Sequence, residues 1–142
     1  MHFVTGGAFN GKSKWVKANN LEVCCWISAY HGESLPTYLD QVKESTIVLE
    51  GIEQWVKQWL EELNEDDVRK KWQSLLQQLR SWENRDKCRK VILIGTDLTK
   101  GIVPLHRSDR EWRDVCGRVF QDTALSCERV DLIWYGLNKR LK

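Results

Sequence analysis

The chain has 142 residues, 42% of them hydrophobic and 30% charged, with a formal net charge of +2. That length suits one domain spanning residues 1–142, and so small a charge imbalance excludes a disordered polyelectrolyte and argues against a nucleic-acid partner. The apolar runs, of which Val91-Ile92-Leu93-Ile94 is typical, fall far short of the roughly 20 residues that cross a bilayer. The N-terminus also lacks a basic segment leading into an apolar signal core, so a cytoplasmic protein with no membrane contact is expected.

His2–Thr5 is a short apolar run stopped by Gly6-Gly7, and from Gly11 onward Lys-Ser-Lys-Trp-Val-Lys holds good helix formers without a breaker. This reads as strand, glycine loop, helix. A second strand is expected at 22–28 and a third at 46–50, with an amphipathic helix between them starting near Ser34, where serine caps and Pro36 fits the first turn. Ile52, Trp55, Val56, Trp59, Leu60 and Leu63 then form one helical stripe. Asn64, with Asp67 three residues on, opens a second helix whose stripe is Val68, Trp72, Leu75, Leu76, Leu79 and Trp82.

Val91–Ile94 has the composition of a central parallel strand covered on both faces. The stretch 107–128 carries Trp112, Val115, Cys116, Val119 and Phe120 at helical spacing, and Val130–Tyr135 is a last strand closed by Gly136. Strands alternating with helices predict an α/β fold with a mostly parallel sheet and helices on both faces. Four of the eight tryptophans fall on the two stripes, which favours core or subunit-interface packing over a base-stacking surface. The five cysteines are odd in number and include no Cys-x-x-Cys pair, so reduced thiols are expected, with Cys24 and Cys25 packed in an apolar run. The three histidines, His2, His31 and His106, are not spaced as metal ligands.

Gly6-Gly7-Ala8-Phe9-Asn10-Gly11-Lys12-Ser13 fits G-x-x-x-x-G-K-[ST] between a predicted strand and a predicted helix, the context of a P-loop. Glycines let successive backbone N–H groups curl toward phosphates, and the following helix N-terminus adds a favourable field. Lys12 is expected to reach the β- and γ-phosphates of a nucleoside triphosphate and Ser13 to ligate Mg²⁺. An acidic residue at the end of a neighbouring strand should complete the metal site, with Glu50 the first candidate and Asp97 the second.

Two regions resemble the bifunctional adenosylcobinamide kinase/adenosylcobinamide-phosphate guanylyltransferase family of cobalamin biosynthesis. The glycine loop looks like the family's G-G-A-R-S-G-K-S, differing at Phe9 and Asn10. Gly101-Ile102-Val103-Pro104, then Arg110, Trp112-Arg113-Asp114 and Gly117, resembles its G-I-V-P followed by R-x-F-R-D-x-x-G. The likeness continues through Gln121, Ala124 and Val130 to Gly136 and Leu141-Lys142, like the family's ending A-G-x-P-x-x-L-K. It implies a three-layer, RecA-like P-loop NTPase fold, a homotrimer, ATP or GTP with Mg²⁺, and phosphorylation of the adenosylcobinamide hydroxyl, with Arg110 and Arg113 reaching phosphate or substrate.

The family's second activity moves GMP from GTP through a histidine in a stretch of the form R-H-R-x-x-R-P. Here the interval between Ser13 and Thr46 is short, that stretch is missing, and its one histidine is His31, either a displaced relic of the nucleophile or a plain loop residue. Glu50-Gly51 stands where the family has Asp-Cys, Thr96-Asp97 where it has Asn-Glu, and Phe120 where it has Asn. Phosphoryl transfer asks mainly for positioning and charge neutralisation and survives loss of the arm, whereas covalent guanylyl transfer needs its nucleophile. A shortened kinase is therefore expected, against a nucleotide-binding module without catalysis or a kinase of another small alcohol.

Overall fold

The computed structural model describes residues 1–19 and 24–142. Its elements run β1 (His2–Gly6), α1 (Lys12–Asn19), β2 (Cys24–Ser28), β3 (Thr46–Glu50), α2 (Ile52–Leu60), α3 (Glu65–Asn84), β4 (Lys90–Thr96), α4 (Arg107–Ser126), β5 (Arg129–Trp134) and β6 (Leu137–Arg140). The six strands form one sheet in the order β2-β3-β4-β1-β5-β6, parallel except for the β5–β6 pair. Positions 22 and 23 of the expected second strand lie outside the described residues.

Alternation along the strands sorts the core into two layers. Phe3, Ile47, Leu49, Val91, Leu93 and Val130 face α2, α3 and α4, whereas Val4, Val48, Ile92, Ile94 and Ile133 face Val16 of α1. The sheet thus has helices on both faces, three on one and one on the other. Cys24 and Cys25 follow the same rule, the first packing on the α1 side and the second on the opposite side, so the vicinal thiols point apart. Every cysteine is free.

The tryptophan stripes are used inside the chain. Trp55, Trp72 and Trp82 are buried and Trp59 is half-buried, tilted against Trp72 at a ring separation of 6.3 Å. Trp72 Nε1 donates to Thr123 Oγ1 at 2.9 Å, and that hydroxyl donates to the carbonyl of Val119 at 2.7 Å, which locks α3 to α4. Asn64 caps α3 as its sequence indicates, its side chain accepting from the Asp67 N–H at 3.0 Å.

Two expectations need correction. No helix starts at Ser34: the segment between β2 and β3 holds only two single-turn 3₁₀ helices, Ala29–His31 and Leu39–Gln41. Leu35, Leu39 and Val42 have the spacing of a helical face and do pack on the core, but Tyr38 between them is extended at φ −128°. A run this short, with Pro36 restraining Leu35, cannot recover the price of helix nucleation and buries the same side chains as irregular chain. The chain also does not end on its fifth strand, because Tyr135 and Gly136, at φ 50° and 78°, turn it back into β6. Two left-handed residues suit a two-residue hairpin turn, and the usual sequence signal for it, Asn-Gly, is absent here.

Candidate active site

β1 ends at Gly6, where a Cβ would stand 2.2 Å from the carbonyl oxygen of Ile133 on β5, so only glycine fits. The loop that follows returns the chain to the sheet at Lys12, the first residue of α1. Lys12 is buried despite its charge, with Nζ donating to the carbonyl of Gly7 at 2.8 Å. Burial holds its pKa below the ordinary lysine value, against the opposing pull of Glu53, Glu50 and Asp97.

Ser13 Oγ donates to Glu50 Oε1, and Trp26 Nε1 donates to Glu50 Oε2 at 2.9 Å. Burial alone would raise the Glu50 pKa, but the bonds from Ser13 and Trp26 outweigh it and hold the carboxyl below its usual range. The strand carrying Glu50 is not beside the P-loop strand, since β4 lies between them. Glu50 nevertheless meets Ser13 directly, from the C-terminal end of β3.

A cavity of about 620 Å³ opens between these groups, lined among others by Gly11, Lys12, Ser13, Glu50, Glu53 and Tyr30. Glu53 and Tyr30 were not singled out from the sequence. Glu53, in the first turn of α2, is 1% exposed. Its carboxylate accepts from the N–H of Thr96 at 2.9 Å and from the hydroxyl of Tyr30, which also bonds Thr96 Oγ1 at 3.0 Å. Burial, then the carboxylate of Glu53, pushes the Tyr30 phenol well above its usual pKa, so it stays a neutral donor. The available signal was a lone acid within the apolar stripe of Ile52, Trp55 and Val56, where a charge must be paired to be buried.

Of the remaining candidates, Ala8 and Phe9 line the same cavity, and the others are not among its lining residues. Asp97 donates its N–H to the Gly6 carbonyl at 3.0 Å, but its carboxylate turns back to accept from Thr99 N and Oγ1 at 2.9 and 2.6 Å. His31 is exposed and is not among the residues lining the cavity. Arg110 donates to the carbonyls of Pro104 and Leu105 at 3.1 and 2.6 Å, and Arg113 to that of Thr99 at 2.6 Å. Both arginines line a second cavity of about 560 Å³ with Asp114, Arg118 and Gln121, sharing no lining residue with the first. Ala8 and Phe9 stand exposed at the apex of the glycine loop, and Asn10 bonds to the β5–β6 turn.

A family model described as cobinamide kinase / cobinamide phosphate guanyltransferase matches residues 23–141. The chain belongs to this family. The match takes in Glu50, Glu53, Arg110 and Arg113, while the glycine loop at 6–13 precedes it. The bifunctional adenosylcobalamin biosynthesis protein CobU of Salmonella typhimurium is 38% identical over 53 residues, which are 37% of this chain and 29% of that relative. The chain therefore aligns to less than a third of that relative's length.

Within the cobinamide kinase / cobinamide phosphate guanyltransferase family, the departures noted above have local physical reasons. Gly51 is left-handed at φ 86°, and a Cβ there would come within 3.2 Å of Ala29 and of the Tyr30 ring. Phe120 fills an apolar space, edge-on to Phe3 at 5.3 Å and directly over Gly95, where a Cβ would collide with its ring at 2.6 Å. Thr96 supplies both its N–H and its hydroxyl to the Glu53–Tyr30 pair. Among the described residues, no group of three or more His, Cys, Asp or Glu side chains could hold a metal. Ser13 and Glu50 together are a hydroxyl and one carboxylate, a donor set that suits Mg²⁺, which takes few protein oxygens and completes its shell with phosphate and water. None of the described helices is long and apolar enough to cross a membrane.

Proposed function

We propose that this protein is a nucleoside-triphosphate-dependent kinase that transfers the γ-phosphoryl group of ATP or GTP to the hydroxyl of adenosylcobinamide. The observation that carries the reading is the contact of Ser13 with Glu50 beside a buried Lys12, in a chain of the cobinamide kinase family. Lys12, released from the Gly7 carbonyl, would neutralise β- and γ-phosphate charge, and the loop from Gly6 to Ser13 would offer its backbone N–H groups. Mg²⁺, held by Ser13 and by Glu50 directly or through water, would supply charge neutralisation on the transferred group. Phosphoryl transfer asks the protein for little covalent chemistry, so these groups suffice once the acceptor hydroxyl is in line.

The acceptor would approach from the side of Tyr30, Glu53 and Gln54, which line the same cavity as Lys12 and Ser13. Arg110 and Arg113 would act from the second cavity by shaping the 99–105 loop against the corrinoid. Guanylyl transfer is not part of this proposal, because it needs a nucleophile at the nucleotide and His31 is exposed outside the cavity. A cytoplasmic homotrimer acting on nucleotide and corrinoid, without nucleic acid or membrane, completes the reading. Light scattering would check the trimer.

The direct test incubates the protein with Mg²⁺ and γ- or α-labelled GTP, with and without adenosylcobinamide, then separates protein from corrinoid. Label from the γ position is expected on the corrinoid, with no α label on the protein. Retained α label that disappears in His31→Ala would overturn the kinase-only reading. Binding without any transfer would favour a module that holds nucleotide and does no chemistry, and transfer only to other alcohols would change the acceptor.

A further inference from the structure

The glycine loop and the β5–β6 hairpin are joined by their backbones. Gly136 N donates to the Asn10 carbonyl at 2.9 Å, and Tyr135 N donates to Asn10 Oδ1 at 3.3 Å. A Cβ on Gly11 would stand only 3.5 Å from the Cα of Gly136, so the two turns are in contact. Three large aromatic side chains that the core does not use surround this joint. Phe9, which also lines the P-loop cavity, is fully exposed, Trp134 is 63% exposed and Tyr135 is 81% exposed. Trp134 and Tyr135 are stacked on each other, with ring centroids 5.6 Å apart and planes 22° from parallel.

Their backbone conformation makes the placement more telling. Among the described residues, Phe9 at φ 59° and Tyr135 at φ 50° are the two non-glycine residues in left-handed backbone. Bulky side chains adopt that region at a cost, and Gly or Asn would make either turn more cheaply. Residues held in such backbone cluster at ligand sites, so exposed rings on Phe9 and Tyr135 point to a ligand.

The sheet order says which part of a ligand would arrive there. β5 and β6 lie on one side of the P-loop strand, and β4 and β3, with Glu50, lie on the other. A triphosphate with its γ end toward Glu50 therefore leads its nucleoside end toward β5 and β6. We propose that Tyr135, backed by Trp134 and flanked by Phe9, is the stacking platform for the purine base of the bound nucleotide. This rests on the nucleotide reading above and adds the base subsite to it. Stacking is tolerant of base identity, since every base has a π face, so the platform accepts ATP and GTP alike.

The test measures binding of Mg·ATP, Mg·GTP and Mg·tripolyphosphate by calorimetry to the wild type, Tyr135→Gly, Tyr135→Phe and Lys12→Ala. Glycine keeps the left-handed turn, so folding is preserved. Tyr135→Gly is expected to weaken ATP and GTP by about tenfold while leaving tripolyphosphate unchanged, and Tyr135→Phe to bind all three as the wild type does. Quenching of Trp134 emission, taken as the difference from Trp134→Phe, is expected with ATP and GTP and not with tripolyphosphate. Wild-type nucleotide affinity in Tyr135→Gly, with affinity lost in Lys12→Ala, would overturn the platform and leave the P-loop reading standing. If the wild type binds none of the three ligands, the nucleotide reading falls first and the platform with it.

Discussion

The two cavities on either side of the loop that leaves β4 use charged side chains in opposite ways. In the P-loop cavity, Lys12, Glu50 and Glu53 are buried or half-buried and bonded to Gly7, Ser13, Trp26, Tyr30 and Thr96. In the other, Arg110 and Arg113 sit near solvent and bond carbonyls of a loop whose Ile102, Val103 and Leu105 are exposed. Removing a partner in the first leaves a buried polar atom unpaired, whereas water replaces a lost partner in the second. In the proposed reaction, the preorganised groups are the ones that meet phosphate charge, and the adaptable ones are those that shape the 99–105 loop beside the acceptor.

The largest effect should come from Lys12→Ala, which removes the buried cation and is expected to weaken Mg·ATP or Mg·GTP by about 100-fold or more in calorimetry. An unchanged affinity would remove the basis for treating the cavities differently. Next, the two acids should separate. Glu53→Gln puts an amide against the Thr96 N–H and the Tyr30 hydroxyl and is expected to lower stability by about 1–3 kcal/mol in urea unfolding. Glu50→Gln should stay within about 1 kcal/mol of the wild type, because an amide oxygen still accepts from Ser13 or Trp26, yet lose the Mg²⁺-dependent gain in nucleotide affinity.

A pH titration sharpens the contrast further. Because the folded protein holds the Lys12 pKa below the ordinary value of 10.5, the unfolded chain binds that proton more tightly. Ligand-free stability tied to Lys12 therefore rises with pH between the lowered pKa and 10.5, and Lys12→Met should abolish that rise. Nucleotide affinity runs the other way, falling as pH climbs through the same window, because phosphate needs the protonated amine. The smallest effect is expected for Arg113→Ala, with nucleotide affinity unchanged within about twofold while the 99–105 loop is cleaved faster in limited proteolysis.

Legibility followed how local each interaction is. The third strand, Asn64 as a cap and both tryptophan stripes could be read from the chain, since they depend on alternation, helical spacing and one capping side chain. The missing helix at Ser34 had the right spacing and failed because a stretch interrupted by an extended Tyr38 buries Leu35, Leu39 and Val42 equally well without it. The hairpin after Trp134 went unread because Tyr-Gly makes a turn that Asn-Gly usually signals. At the site, Lys12, Ser13 and Glu50 are candidates that local motifs single out, whereas Glu53 and Tyr30 are hidden in the chain, one as an ordinary first-turn acid and the other as a loop aromatic.

A P-loop motif between strand and helix, an acid closing the third strand and the residues of the G-I-V-P to R-D segment are properties of neighbouring positions, and the linear order of residues is enough to specify them. Which acid meets Ser13, which carboxylate turns away and which aromatic rings gather around Asn10 depend on strand order. β4 enters the sheet between β1 and β3, and β5 and β6 stack on the other side. Parallel strands are paired across long stretches of chain, so their neighbours are chosen by how the whole core packs. That choice brings Glu50 to Ser13, Glu53 and Tyr30 to Thr96 at the end of β4, and Tyr135 to Asn10.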